Sequence, residues 1–171
     1  MACLLTGGIN AQECRDATGG VIEFYIANKA SVSAVTETNS YVSAITMSAG
    51  TTFYTYKTNK NAGSWSQPVM GSPNAGTIGY EHTASLVFSK NEAADINNIK
   101  LLARAQVVVI VRERSGRYYL LGQNEGLELS EGSFESGAVL EDPNGWTLVL
   151  KGAEANPAPE IDSTIIAAII T

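Results

Sequence analysis

The stretch VVVIVRERSGRYYLLGQNEGLEL, from Val107 to Leu129, constrains the fold more than any other part of the chain. Five consecutive apolar residues lead into the charged sequence RERSGR, and two tyrosines followed by two leucines come directly after it. Val, Ile and Tyr favour strands, and a Ser-Gly pair between two such runs is typical of a hairpin turn. The sequence therefore predicts a hairpin that turns at Ser115–Gly116. A ribbon this apolar is an aggregation liability unless something covers it.

Several other segments predict strands. Residues 22–26 alternate between apolar and more polar side chains, which is the two-residue period of a half-buried strand. Residues 41–58 predict a second hairpin, with its tip at Ser48–Gly50. Further strands are predicted at 83–90 and within 106–150. About seven or eight strands in one chain favour two packed sheets or a closed sheet.

One helix is predicted, at about residues 89–105. Ser89 and Glu92 have the spacing of a capping box, in which two backbone N–H groups at the start of a helix find partners. An apolar stripe at helical spacing follows, formed by Ile96, Ile99 and Leu102, and we expect it to pack on a sheet. The predicted fold is a single domain over 1–171, mainly β, an antiparallel β-sandwich or barrel with one flanking α-helix.

Two segments look free to meet partners. Residues 57–79 are dominated by Gly, Ser, Asn and Pro and predict a long loop. The apolar side chains in that loop are Trp65, Val69 and Met70, which fit a docking arm or, equally, a loop whose Trp packs on the chain's own core. Residues 155–171 predict an extended C-terminal tail, because Pro157 and Pro159 oppose a helix at its start. Its apolar end, which includes Ile165, Ile166 and Ile169, is a candidate edge strand or partner-binding segment.

Composition excludes some functions. The net charge is −6, with only 11 Lys and Arg and no basic cluster, which argues against binding DNA through its phosphates. Charged residues are 16% of the chain, so its surface is either rich in small polar residues or covered by partners. Cys3 and Cys14 form a disulfide or remain two thiols, and they cannot make a zinc site alone. No signal peptide or membrane-spanning segment is evident, so we expect a soluble protein made in the cytosol.

No set of residues predicts catalysis. His82 is the only histidine, and no nucleophile motif accompanies it, so a structural or surface role is favoured. Paired carboxylates over 125–142 resemble those of glycosidases, but Phe134 is the only aromatic side chain there to line a sugar cleft. No calcium loop, phosphate loop or dinucleotide motif is present. We therefore expect a protein that is not an enzyme and that binds neither a metal nor a cofactor.

The acids after the ribbon are one-sided. Between Arg117 and Lys151 there is no Lys or Arg, but there are six acids. One interpretation is a solvated surface. The other is a wall presented to a second polyanion, since like charges lining a confined channel create a strong repulsive field.

The order of elements in the second half carries a resemblance. NEAADINNIKLLARA, QVVVIVRE, GRYYLLGQNEGLELSEG and SGAVLEDPNGWTLVLKGAEANPAPEI follow one another, and the last, from Ser136 onward, carries most of it. This half, roughly the last 80 residues, resembles the C-terminal half of tail tube proteins of tailed bacteriophages. The resemblance implies a β-sandwich or barrel with a flanking helix, assembled into hexameric rings whose inner sheets join edge to edge. It also implies rings stacked into a hollow tube in the virion tail, made in the host cytoplasm.

The resemblance also assigns roles to residues. The expected channel-lining acids are Glu125, Glu128, Glu131 and Glu135. The expected contacts between subunits or rings are Trp65, Val69, Met70, Ile165, Ile166 and Ile169. Either 41–58 or 57–79 would supply the hairpin that links rings, and the ribbon at 107–129 would be partly buried between subunits. The implied partners are copies of the same chain, other tail proteins, and DNA that passes through the lumen without specific binding; no membrane is involved.

Other functions fit the same pattern. A tail terminator, a head–tail connector or the tube of a contractile injection system would share the fold type and the ring assembly. A carbohydrate-binding β-sandwich is the alternative from a different class, with Trp65, Tyr54 and Tyr56 as sugar platforms. The form of assembly separates a tube from a terminator, because only the tube grows without limit.

Overall fold

The computed structural model of the chain describes residues 5, 7–9, 11, 18–89, 92–139, 141–142 and 144–171. The strands in these ranges are β1 (Val21–Asn28), β2 (Val32–Thr38), β3 (Tyr41–Met47), β4 (Tyr54–Lys57), β5 (Ser64–Ser66), β6 (Val69–Ser72), β7 (Thr77–Phe88), β8 (Val107–Glu113), β9 (Tyr118–Leu121), β10 (Glu128–Glu135), β11 (Gly145–Glu154) and β12 (Glu160–Ile161). The helices are a 3-10 turn (Lys29–Ser31), α1 (Ala93–Leu102) and α2 (Ser163–Ile169). Cys3 and Cys14 lie outside the described residues.

The strands form two open sheets. The larger has seven strands in the order β2-β3-β12-β9-β8-β1-β4, and the smaller has five, in the order β10-β11-β7-β5 with β6 also paired to β7. All strand pairs are antiparallel except the short parallel pair between β12 and β3. The predicted fold class, a mainly β sandwich with a helix on its flank, is confirmed.

Two central strands of the larger sheet, β1 and β8, are buried on both faces. One face of β8 (Val107, Val109, Val111) joins the core between the two sheets, together with Phe24, Leu86, Leu127, Leu148 and Leu150. The other face (Val108, Ile110) joins a second core, together with Tyr25, Val42, Phe53, Leu120, Ile166 and Ile169. A strand that is apolar on both sides needs no polar alternation. This explains the five consecutive apolar residues.

The hairpin predicted from the ribbon is confirmed, but its expected cover is wrong. β8 and β9 pair antiparallel around Ser115–Gly116, where Gly116 takes the left-handed φ of 86° that glycine tolerates best. The apolar part of β8 is fully buried within the chain. The prediction that the ribbon is partly buried between subunits therefore fails for β8, because the chain supplies both covering layers itself.

The predicted hairpin at 41–58 is also wrong. β3 and β4 are both strands, but they lie on different sides of the larger sheet: β3 pairs with β2 and β12, and β4 pairs with β1 at the edge. The tight hairpin is instead β2–β3, which turns at Asn39–Ser40 with positive φ at both residues, as such two-residue turns require.

The predicted long loop at 57–79 contains two short strands. β5 and β6 both pair with β7, which itself begins inside the predicted loop at Thr77. The strands are only three and four residues long, and Gly, Ser and Pro surround them. Pairing with a long neighbour stabilises segments whose own composition predicts a loop.

Helix α1 is shorter and less buried than predicted. It begins at Ala93 with Glu92 as its N-cap, and no side-chain cap hydrogen bond forms there. Ser89 does not cap it, since its hydroxyl accepts a hydrogen bond from Asn59. Of the predicted apolar stripe, only Leu102 is buried, Ile99 is half-buried and Ile96 is exposed. The helix therefore covers the edge of the core rather than a sheet face.

The C-terminal segment is not an extended tail. After β12 it forms α2, whose N-cap Asp162 accepts a hydrogen bond of 2.9 Å from the backbone N–H of Thr164. The helix covers the outer face of the larger sheet, with Ile166 and Ile169 buried in the second core. These contacts correct the prediction of an edge strand or free tail at residues 155–171.

The double burial of β8 gives a test of the fold. Ile110 is fully buried in the second core. We expect Ile110→Ala to lower the free energy of unfolding by about 2–5 kcal/mol, because it leaves a cavity in a packed core. Urea unfolding followed by circular dichroism measures the change. Val139→Ala, at an exposed loop position, is the control and should stay within about 0.5 kcal/mol of the native chain; an equally small effect of Ile110→Ala would contradict the proposed packing.

Candidate functional site: an acidic sheet face

The outer face of the smaller sheet, which we call the acidic face, collects most of the predicted channel acids. Cross-strand partners in an antiparallel pair point to the same side of a sheet. The register places Glu128 opposite Lys151, Glu131 opposite Val149 and Glu135 opposite Gly145. These three acids therefore point away from the core, and all are exposed.

A β-bulge brings these acids to one side. Glu128 and Glu131 are three residues apart, so in a regular strand they would point to opposite faces. The register shifts between Leu129 and Glu131, which inserts one extra residue into β10 and returns Glu131 to the side of Glu128. Leu129 and Phe134 point the other way, and the Phe134 ring packs 5.2 Å from that of Trp146.

The remainder of the acidic face is small and polar. By the same register, it carries Ser133 and Thr147 beside the acids, Thr83 and Ser85 on β7, and Ser64 and Ser66 on β5. It also carries Glu81, an acid that the sequence patterns did not single out, since its strand was predicted to begin only at residue 83. The one cation on this face is Lys151, whose Nζ lies 3.6 Å from the Glu131 carboxylate. The face thus holds four carboxylates and one ammonium group.

Glu125 is not part of the acidic face. It lies in the loop between β9 and β10, and its backbone N–H donates a hydrogen bond of 2.9 Å to the carboxylate of Glu154. The neighbouring backbone N–H of Asn124 donates to the same oxygen at 3.0 Å. Three of the four predicted acids are therefore brought together, and the fourth belongs to a loop.

Both edges of the acidic face lack a strand partner in the described part of the chain. β10 is the edge strand on one side, and the short strand β5 is the edge on the other. Each edge strand offers backbone N–H and C=O groups to a further strand. The acidic face is therefore bounded by two surfaces that can extend the sheet.

The predicted contact residues divide into buried and exposed groups. Ile166 and Ile169 lie in the second core, which corrects their assignment to contacts between subunits. Trp65 packs within the chain, with its ring 4.9 Å from Tyr119 and its Nε1–H donating to Glu113 at 2.8 Å. Val69, Met70 and, in part, Ile165 remain accessible. Because Trp65 is already in use, it is also a poor sugar platform.

His82 is buried beneath the loop that precedes β10. Its side chain is 1% exposed, and its Nδ1 accepts a hydrogen bond of 3.3 Å from the backbone N–H of Gly122. Burial lowers the pKa of the imidazole below its usual value, while the nearby Glu154 carboxylate acts in the opposite direction. No serine or cysteine nucleophile is bonded to His82, and its observed contact is with the loop backbone. The histidine and Glu154 hold that loop in place.

Among the residues that the structure describes, no group of three or more His, Cys, Asp or Glu side chains is placed to hold a metal ion. No helix within those ranges is long and apolar enough to cross a membrane. No protein-family model, curated protein or solved structure matches the chain.

The buried histidine makes stability depend on pH. Because the pKa of His82 is lowered in the folded chain, the unfolded chain binds a proton first as the pH falls below about 6.5. We expect stability to be fully present above that pH and to fall below it, by at most about 1.4 kcal/mol per pH unit. Urea unfolding at several pH values measures the slope.

His82→Asn is the matched variant, since the asparagine oxygen can accept the Gly122 N–H and does not titrate. The variant should lose the slope between pH 7 and pH 5, whatever its overall stability. An unchanged slope would show that His82 does not control this dependence.

Proposed function

We propose that this chain is a structural protein of a bacteriophage tail tube, which assembles into stacked rings around a channel for DNA. The observation that carries the proposal is the acidic face between two open sheet edges. Strand β10 of one copy pairs with the β5 side of the next, so that the smaller sheets join into a continuous wall. The rings are hexameric in the family that the chain resembles.

Sheet joining gives the acidic face a direction. Edge pairing adds backbone hydrogen bonds without requiring particular side chains, so it suits an interface between identical copies. Copies related by rotation close the wall into a ring, and each edge is then paired. The acidic face lines the hole, and the larger sheet with α2 lies on the outside.

The chemistry of the acidic face suits a passage for DNA. Each copy places Glu81, Glu128, Glu131 and Glu135 against the single cation Lys151. Around a ring these carboxylates create a negative potential that repels phosphate groups. Binding to DNA is electrostatic in large part and needs Lys or Arg at the surface. Small hydroxyl side chains such as Ser85 and Thr147 keep the wall wet and smooth.

Electron microscopy of the purified full chain tests the assembly. We expect rings with a central pore and hollow tubes that lengthen with protein concentration. Rings that never stack would favour a terminator or connector, because those assemblies stop at one ring. A monomer that persists at high concentration would overturn the proposal.

Charge reversal tests the location of the acids. We expect Glu128→Lys, Glu131→Lys and Glu135→Lys together to leave folding and tube formation intact but to make tubes retain labelled DNA, most strongly at low salt. Sedimentation of tubes with a short labelled duplex measures retention, and phage carrying the variant should eject DNA more slowly.

The matched control reverses the same number of charges at exposed positions off the acidic face: Glu37, Glu125 and Glu141. Tubes of the control should not trap DNA within the lumen, and high salt should free any DNA at their outer surface. Equal protected retention by both triple variants would place the acidic face away from the channel.

A further inference from the structure

The core-facing side of β7 continues past the sandwich at the start of the strand. Alternate residues share a face, so Ile78, Tyr80, His82, Ala84 and Leu86 all point to the core side. Ala84 and Leu86 are fully buried, whereas Ile78 is 68% exposed. At this end the larger sheet no longer covers β7, and an apolar side chain on the core side lies open.

β6 and the start of β7 form a projecting hairpin, which we call the arm (residues 68–80). The register pairs Val69 with Tyr80 and Gly71 with Ile78, so these four residues share the core side. Val69 is 64% exposed. A Cβ on Gly71 would lie 2.4 Å from the backbone oxygen of Thr77, so only glycine allows the two strands this close approach. The arm contains no charged residue.

A groove lies at the other end of β7, between the edge strand β4 and helix α1. It has a volume of about 1020 Å³, and its lining includes Phe88, the last residue of β7. Tyr54 from β4 and Leu101 from α1 also line it, and each is 59% exposed. The groove is therefore an uncovered continuation of the same core, where α1 fails to close the sandwich.

The arm and the groove of one chain cannot meet. Ile78 and Phe88 are ten residues apart on one unbroken strand, which is about 34 Å at ~3.4 Å per residue. A second copy displaced along β7 can bring its arm to the groove of the first. Such a contact joins two different surfaces of identical copies, so each added copy presents a new free arm or groove.

We propose that the groove between β4 and α1 receives the arm of another copy of this chain, so that copies dock head to tail along the direction of β7. The inference rests on the proposed self-assembly and identifies the contact that stacks one ring on the next. Val69 and Ile78 contact Tyr54 and Leu101, and the uncharged arm suits a groove whose only charged lining residues are Lys57 and Asp95. The contact is repeated around each ring, so weak single contacts add up.

Two double variants remove the two surfaces separately. Val69→Asp with Ile78→Asp changes the arm, and Leu101→Asp with Tyr54→Asp changes the groove. All four side chains are largely exposed, so folding is expected to persist. Each variant should form rings without tubes, with the tubular fraction at least tenfold below that of the native chain. Sedimentation velocity and electron microscopy measure the distribution.

The matched control is Val139→Asp with Ile96→Asp. Val139 is 66% exposed, and neither residue lines the groove or belongs to the arm. It introduces the same charge and removes similar apolar surface, so it should form tubes like the native chain. Circular dichroism of all variants confirms that each is folded.

Mixing the two variants gives the deciding result. An arm variant keeps its groove and a groove variant keeps its arm, so the mixture should form pairs of rings that do not elongate. Normal tubes from either variant would overturn the arm-and-groove contact while leaving the tube function standing. A groove variant that stacks normally while the arm variant does not would mean that the groove serves another occupant, which also overturns it.

The same experiment separates this inference from the proposed function. Head-to-tail chains without rings, abolished by either double variant, would retain the contact and contradict the tube. A native chain that stays monomeric at every concentration would overturn both.

Discussion

The architecture depends on the burial of β1 and β8 on both faces. Because β8 has a core on each side, the chain must supply two covering layers, and it does so with the smaller sheet on one side and with α2 on the other. Both covers come from segments far away in the chain. The sandwich is thus complete in its middle and incomplete at its edges and at the two ends of β7, which is where new contacts are available.

Local signals predicted what local interactions decide. The β8–β9 hairpin followed from two β-rich runs and a Ser-Gly turn, and the mainly β class followed from the number of such runs. Strand pairing between distant segments left no comparable signal. β3 and β4 were both recognisable as strands, but β4 pairs with β1 through contacts about thirty residues away, whereas the Asn-Ser turn of β2–β3 was a weaker form of the familiar Asn-Gly signal.

The candidate site was recoverable in part for the same reason. A run of acids without Lys or Arg can be seen in the sequence, and three of the four chosen acids do share a face. Glu81 could not be found this way, because it joins them only through the pairing of β7 with β11. α2 was missed because Ile is a modest helix former and two prolines precede it. Its stability comes from the apolar surface that it covers.

The extra residue in β10 has a consequence for inheritance. On a strand, the side to which a residue points depends on whether it is an odd or even number of positions from its neighbours. A one-residue deletion at the bulge would restore a regular strand and send either Glu128 or Glu131 toward the core, while a two-residue change would not. The charge of this wall is therefore guarded by counting as much as by composition, and related chains should vary there in steps of two.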